Sequence, residues 1–155
     1  MRGWFFVRIV VQRVLEADVK IDDKVEAGIG KGLVALVGFS DGDDGNTIEY
    51  MLNKMVNLRI FEDSEEKLNL SVKDIDGGLL VVPNFTIYAD ARHGRRPSFT
   101  ASASADNARK IFDLFKTQAK DLYENTYFGV FQADMKVTIV NDGPVTILLD
   151  SDKLF

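Results

Sequence analysis

Cysteine is absent and histidine occurs once, as His93. Without thiols there is no disulfide, no thiolate nucleophile and no cysteine-bound metal, and a single imidazole cannot build a multi-histidine zinc cage. Positive charge is also short. The chain has 19 lysines and arginines against 24 acidic residues, a net −5, which argues against a protein that coats DNA or RNA by bulk attraction. No apolar run approaches the roughly 20 residues of a membrane span. "WFFV" near the start is too short for a signal-peptide core and meets Arg8 at once, so a cytoplasmic location with no membrane partner is expected.

Familiar catalytic groupings are missing as well. His93 lies in a charged loop, which leaves no Ser-His-Asp set. "GIGKG", residues 28–32, lacks the full spacing and the lysine-hydroxyl pair of a phosphate loop. "DGDDGNT" looks like a calcium loop but has no glutamate at the EF-hand position. Asp41, Asp43 and Asp44 share that solvated loop, where carboxylates stay ordinary and offer no glycosidase pair. Neither a metal nor a cofactor is expected. Catalysis has to rest on backbone groups, hydroxyls or a group that the substrate brings.

What the chain does contain is a clear folding pattern. With 46% hydrophobic and 28% charged residues, 155 positions suffice for one core. Val7, Ile9 and Val11, then Ala17, Val19 and Ile21, alternate with polar neighbours as half-buried strands do, and "DDK" reads as a hairpin turn. "GLVALVGF" is the continuous apolar run of a strand buried on both faces. Asn46 and Glu49 resemble a capping box ahead of a helical stripe of Ile48, Met51, Leu52, Met55 and Val56. "GGLLVVPNFTIYA" reads as an apolar strand in which Pro83 marks an edge, a bulge or an end. Ala108, Ile111, Phe112, Phe115, Ala119, Leu122 and Tyr123 give a second helix of about four turns. "YFGVFQADMKVTIV", a turn at "NDGP" and "VTILLDS" close the chain as antiparallel strands. The expected fold is α+β: an antiparallel, barrel-like sheet with two main packed helices.

Six ordered blocks, "VRIVVQRV", "NLRIFED", "LLVVPNFTIYAD", "GRRPSF", "GVFQADM" and "VNDGPVT", resemble those of the D-aminoacyl-tRNA deacylases, also called D-tyrosyl-tRNA deacylases. The likeness runs from Val7 to about Ser151 within a single domain of residues 7–155, and residues 1–6 look like an N-terminal extension. It implies a homodimeric hydrolase that cuts the ester between a D-amino acid and the terminal adenosine of tRNA, and glycine mischarged on tRNA would also be accepted. In that family Gly-Pro of the last block, here Gly143-Pro144, is cis and reaches into the partner's site, where its carbonyls exclude an L side chain. From sequence alone a trans turn is the ordinary outcome, although a cis bond before proline costs only about 0.5–1 kcal/mol.

The resemblance also implies roles for individual residues. Backbone N–H groups of Phe85 and Thr86 would hold the ester oxyanion, and the ribose 2′-OH would assist the reaction. The Thr86 hydroxyl has no evident base, so positioning suits it better than nucleophilic attack. Arg13 would brace the Gly-Pro loop, although a surface ion pair is the plain alternative. Phe131 and Met135 would line the adenosine and aminoacyl pocket, or else belong to the core. Arg92, Arg95 and Arg96 are either a solvated loop or contacts to tRNA phosphates. The chain departs from the family's Ser-Gln-x-x-Leu motif with Pro83-Asn84, which removes one N–H and shortens an amide by a methylene, so that Asn84 must retract or rearrange. Gln132 stands where glycine is common. The departures leave two other readings open: a deacylase shifted toward L-Ala or Gly on tRNA, and a silent tRNA-binding dimer.

Overall fold

The computed structural model describes residues 7–41 and 45–154, so the expected extension at 1–6 and the acidic positions Asp43 and Asp44 lie outside the described residues. Strand β1 (Val7–Ile21) leads into β2 (Lys24–Ile29) through Asp22 and Asp23, both at positive φ (49° and 64°). Two such residues make the tight turn whose twist suits a hairpin, and asparagine and aspartate tolerate it best after glycine. Strand β3 (Gly32–Phe39) follows antiparallel to the first half of β1, and seven of its eight residues are buried.

Helix α1 (Gly45–Val56) buries Ile48, Met51, Leu52, Met55 and Val56, the stripe expected from the sequence. It already includes Gly45, so Asn46 lies inside the helix and is not its cap. A two-stranded unit, β4 (Phe61–Glu62) with β5 (Leu68–Leu70), brackets the charged stretch "DSEEK". Strand β6 (Gly78–Pro83) runs parallel to β3 and ends at Pro83, opposite Val37. A 3₁₀ turn (Phe85–Tyr88) takes over there, so Thr86 is not on a strand. Helix α2 (Ala105–Leu122) buries Ala108, Ile111, Phe112, Phe115 and Ala119, capped by Ser104 Oγ on the Asn107 N–H. Its C-cap, Tyr123, is extended, one residue short of the expected stripe. Strands β7 (Thr126–Phe128) and β8 (Lys136–Asp150) complete a six-stranded sheet.

That sheet is mixed, not antiparallel. Chains β3 to β6 and β6 to β7 pair in parallel, because each connection carries a helix across and returns in the same direction, which a hairpin cannot do. Helices cover one face, where Phe39, Phe61, Phe112 and Phe115 pack with Ile9, Leu33 and Leu79. On the other face Val34, Leu80 and Val82 meet Val14, Ala17 and Val19 of β1, with Ala27, Ile29, Val137 and Ile139 closing over them. The strands thus curl into a nearly closed barrel around this second cluster. No helix among the described residues is long and apolar enough to cross a membrane.

Strand β8 is the largest surprise. "MKVTIV" and "VTILLDS" do not form a hairpin with each other; both pair antiparallel to β1 as parts of one strand. Gln12 opposes Thr146 and Val14 opposes Asn141, so Arg13 alone faces residues 142–145. The surplus backbone has to leave the ladder, and "NDGP" is a bulge projecting from the strand.

Candidate active site

Where β6 stops, its last amide is still held: Asn84 N–H donates to Val37 O at 2.8 Å. Asn84 then caps the 3₁₀ turn, its Oδ1 accepting from the Thr86 N–H at 3.1 Å and from the Thr86 hydroxyl at 2.5 Å. Asparagine does this well because its short side chain folds back onto the following amides. Both Thr86 donors are therefore turned onto Asn84, whereas the Phe85 N–H has no acceptor among the described residues. Ser102 Oγ donates to Phe85 O at 3.0 Å and fixes the turn from the other side.

Tyr88 roots the same turn in the sheet. Tyr88 is 3% exposed, its ring lies under the Arg8 guanidinium at 4.7 Å, and together with Ile87 it crowds Gly38, where an added Cβ would come within 2.6 Å of Ile87 Cγ1 and 3.0 Å of Tyr88 Cδ2. Arg8 Nε in turn donates to the buried Asp150 carboxylate at 2.7 Å. Burial, helped by the Asp150 charge and opposed by Arg8, pushes the Tyr88 phenol well above its ordinary range. Phe85 is by contrast 59% exposed and meets the half-exposed Phe99 edge-on at 5.3 Å.

Two cavities flank Pro83–Phe85. One, of about 300 Å³, lies toward α2 between Phe39, Asn84, Phe85, Ala108 and Phe131. The other, of about 640 Å³, lies on the helix-free side against Leu36, Val82, Met135 and Val137. Phe131 and Met135 are both half-buried and border these spaces, one on each side, so neither is simple core. Among the described residues no group of acids and histidine could hold a metal ion.

The bulge is built with its own bracing. Arg13, 7% exposed, donates from Nε to Asp142 O at 3.2 Å and from Nη1 to Ile60 O at 2.8 Å, with the Asp142 carboxylate 3.4 Å away. Asn141 Nδ2 spans the base, donating to Arg13 O at 2.9 Å and Val145 O at 3.0 Å. Gly143-Pro144 is cis, the isomer that the resemblance implies, and Gly143 has φ +130°. Both residues are exposed. They border neither cavity of their own chain. Ile9 is the β1 residue opposite Val37 at the cleft, and Arg13 lies four residues further along, about 14 Å away at 3.4 Å per residue.

Residues of the basic stretch are not equivalent. Asp90 and Ser98 exchange backbone bonds and close the loop, and Arg92 grips the Asp90 carboxylate with Nε at 2.9 Å and Nη2 at 2.8 Å. Those bonds hold Asp90 far below the usual carboxylate range, so the Arg92 charge is neutralised locally. Arg95 and Arg96 are exposed and in no ion pair among the described residues.

Residues 10–150 match the family described as D-Tyr-tRNA(Tyr) deacylase. The chain belongs to this family. It is 52% identical over 149 residues to the D-aminoacyl-tRNA deacylase of Clostridium acetobutylicum, covering 96% of this chain and all of that one. Identity to the D-aminoacyl-tRNA deacylase of Petrotoga mobilis is 53% over 150 residues, with the same coverage. A solved structure titled c-Myc DNA Unwinding Element Binding Protein superposes with TM-score 0.87 at 36% identity, covering 92% of this chain and 97% of that one. One titled a probable eukaryotic D-amino acid tRNA deacylase gives TM-score 0.82 at 14% identity, covering 94% and 99%, a likeness of fold alone. This is a family of hydrolases acting on aminoacyl-tRNA. Tyr88, Ser102 and Arg109 escape sequence reasoning because each acts through a neighbour distant in sequence; only Gln132, flagged as a departure from glycine, points toward one of them.

Proposed function

We propose that this chain hydrolyses the ester of D-aminoacyl-tRNA, releasing free D-amino acid and tRNA, as a homodimer in which the Gly143-Pro144 bulge of one copy enters the cleft of a second. One observation carries this reading. A braced backbone projection stands too far from its own cleft to close it, while the helix-free cavity beside Asn84 is open, with Leu36, Val82 and Met135 on one part of its wall and Gln132 and Asp134 on another. Carbonyls presented by a second copy would meet an L side chain with steric overlap and desolvation and leave a D side chain free, so selection needs no recognition of side-chain identity. Such a screen also admits glycine.

In the reaction, water attacks the ester carbonyl carbon, the oxyanion is held by the free Phe85 N–H, and the terminal ribose 3′-oxygen leaves with a proton. The 2′-OH beside it is positioned to assist that transfer. Phe131 and Met135 border the adenosine and aminoacyl parts of the substrate, and Arg95 and Arg96 are the basic-loop residues left for RNA phosphates.

The test is the rate of amino-acid release from D-Tyr-tRNA and L-Tyr-tRNA by the same preparation, with its mass in solution measured alongside. Preferential cleavage of the D ester by a dimer is expected. Equal release of both, preference for the L ester, or an active monomer rejects the proposal. Pro83-Asn84 keeps one second reading in view, a shift toward L-Ala or Gly on tRNA, which the same assay with those esters resolves.

A further inference from the structure

Arg109 has no place in the six sequence blocks, yet its side chain is held in a defined position. Its Nη2 donates to Gln132 Oε1 at 2.8 Å, and its guanidinium carbon lies 4.9 Å from the centroid of the Phe131 ring. Phe131 is itself backed by Phe112, a fully buried core residue, at 6.3 Å. Gln132 adopts φ +61°, a conformation that a non-glycine residue takes at a cost. Phe131 and Gln132 both border the 300 Å³ cavity, so Arg109 stands at its rim. Arg109 forms no ion pair among the described residues, in contrast to Arg92, which Asp90 neutralises.

We infer that Arg109, oriented by Gln132 and Phe131, binds the phosphate on the 5′ side of the terminal nucleoside. The inference rests on the aminoacyl-tRNA reading above. A guanidinium keeps five N–H donors, of which one is engaged here, and its fork matches two phosphate oxygens. The α-carboxyl of the amino acid is esterified and carries no charge, so only an acidic side chain could compete. Once a nucleoside fills the cavity, the first negative charge along the chain is the phosphodiester joining it to the preceding nucleotide. Arg109 would thereby fix the depth at which the ester enters the cleft, a positioning role and not a step in the chemistry.

Titration calorimetry with adenosine and with adenosine 5′-monophosphate tests this without turnover. The unaltered protein should bind the monophosphate about tenfold more tightly than the nucleoside, as one charge-assisted phosphate contact provides. Arg109→Ala should bring the two affinities together while adenosine itself still binds, which also shows the variant to be folded. Arg109→Lys should restore part of the preference, and Gln132→Gly, which keeps the cation but frees it, should reduce it. On charged tRNA, Arg109→Ala should raise KM about tenfold and leave kcat nearly unchanged. A monophosphate preference that survives Arg109→Ala, no preference in the unaltered protein, or no measurable binding of either compound overturns the inference. Failure of the deacylase reading shows separately, as absence of amino-acid release by the unaltered protein.

Discussion

Replacing Gly143 with alanine tests whether the bulge works through fixed backbone. Gly143 has φ +130°, and an added Cβ would lie 2.8 Å from Val145 Cγ2, 2.9 Å from Val145 N and 3.3 Å from Arg13 Nη2. Rotation of Val145 relieves the first contact, but the second is main chain and yields only if the bulge moves. Backbone strain of this kind costs about 1–3 kcal/mol. With the overlap added, roughly 3 kcal/mol is expected, a loss of about 6–12 °C in Tm for a chain of this size. Gly94 supplies the control: it has φ +72° and nothing within 4 Å of the added Cβ. Gly94→Ala should therefore show the backbone term alone, about 1 kcal/mol and some 2–4 °C. Both variants are melted, then assayed for release of D-Tyr and L-Tyr from charged tRNA well below either Tm. Gly143→Ala should lose at least about tenfold in the D-to-L rate ratio, a differential of 1.4 kcal/mol between enantiomers, whereas Gly94→Ala should keep it. An unchanged Tm for Gly143→Ala refutes the packing argument. A lowered Tm with an intact enantiomer ratio refutes the assignment of selection to the bulge.

Arg13→Met leaves Ile60 O and Asp142 O without their shared donor. Hydrogen bonds from a charged group contribute about 1.5–3 kcal/mol each; because Asp142 is partly solvated, a total near 3 kcal/mol is expected from chemical denaturation, together with a reduced D-to-L ratio. Thr86→Val removes only a hydroxyl that donates to Asn84; amino-acid release should fall about tenfold, as for one lost hydrogen bond, and a loss of four orders of magnitude or more would instead mark Thr86 as the nucleophile. Tyr88 controls alkaline stability. Its phenol is raised in the folded state, so its stabilisation is complete below the unfolded pKa near 10 and is lost as pH rises from there toward the higher folded value. Urea midpoints between pH 8 and 12 should fall less steeply in Tyr88→Phe, by up to about 1.4 kcal/mol per pH unit above pH 10; Tyr123, whose phenol burial also raises, keeps a residual slope in the variant.

Features with purely local causes were legible in the sequence. The Asp22-Asp23 turn, the two-sided burial of "GLVALVGF" and both helical stripes each follow from a residue's own preferences and its periodic neighbours. Pairing partners do not follow from periodicity. Nothing in the alternation of β6 says that it lies parallel to β3, although two helices separating three strands are the pattern that crossovers leave behind. "NDGP" has every residue of a hairpin turn, and it is a bulge because the segments on either side both choose β1. Phe85, Ile87 and Tyr88 favour strands individually, but Asn84 closes a 3₁₀ turn over them. Within the candidate site, the blocks that carry the family resemblance lead to Asn84, Phe85, Arg13 and the bulge. They do not distinguish the neutralised Arg92 from the unpaired Arg109, since that depends on which carboxylate lies nearby.

Pro83 and Asn84 form a consistent pair once their neighbours are known. Along β6 the Leu79 N–H donates to Asn125 O on the β7 side, and the Asn84 N–H donates to Val37 O on the β3 side. Odd-numbered amides of β6 therefore face β7. The nitrogen of Pro83 points to that side, but β7 is already finished, since Phe128 pairs with Val81. A missing donor there removes no rung of the ladder, and proline is well suited to end the strand. The next position must start a 3₁₀ turn, and asparagine is among the best residues to cap one, whereas the longer glutamine is not. Asn84 thus rearranges rather than retracts, and it stays at the head of the turn, bordering both cavities. It redirects its carbonyl oxygen onto both Thr86 donors and leaves its NH2 group, which has no acceptor among the described residues, beside the unpartnered Phe85 N–H. The proposed oxyanion contact keeps its main-chain donor in this arrangement.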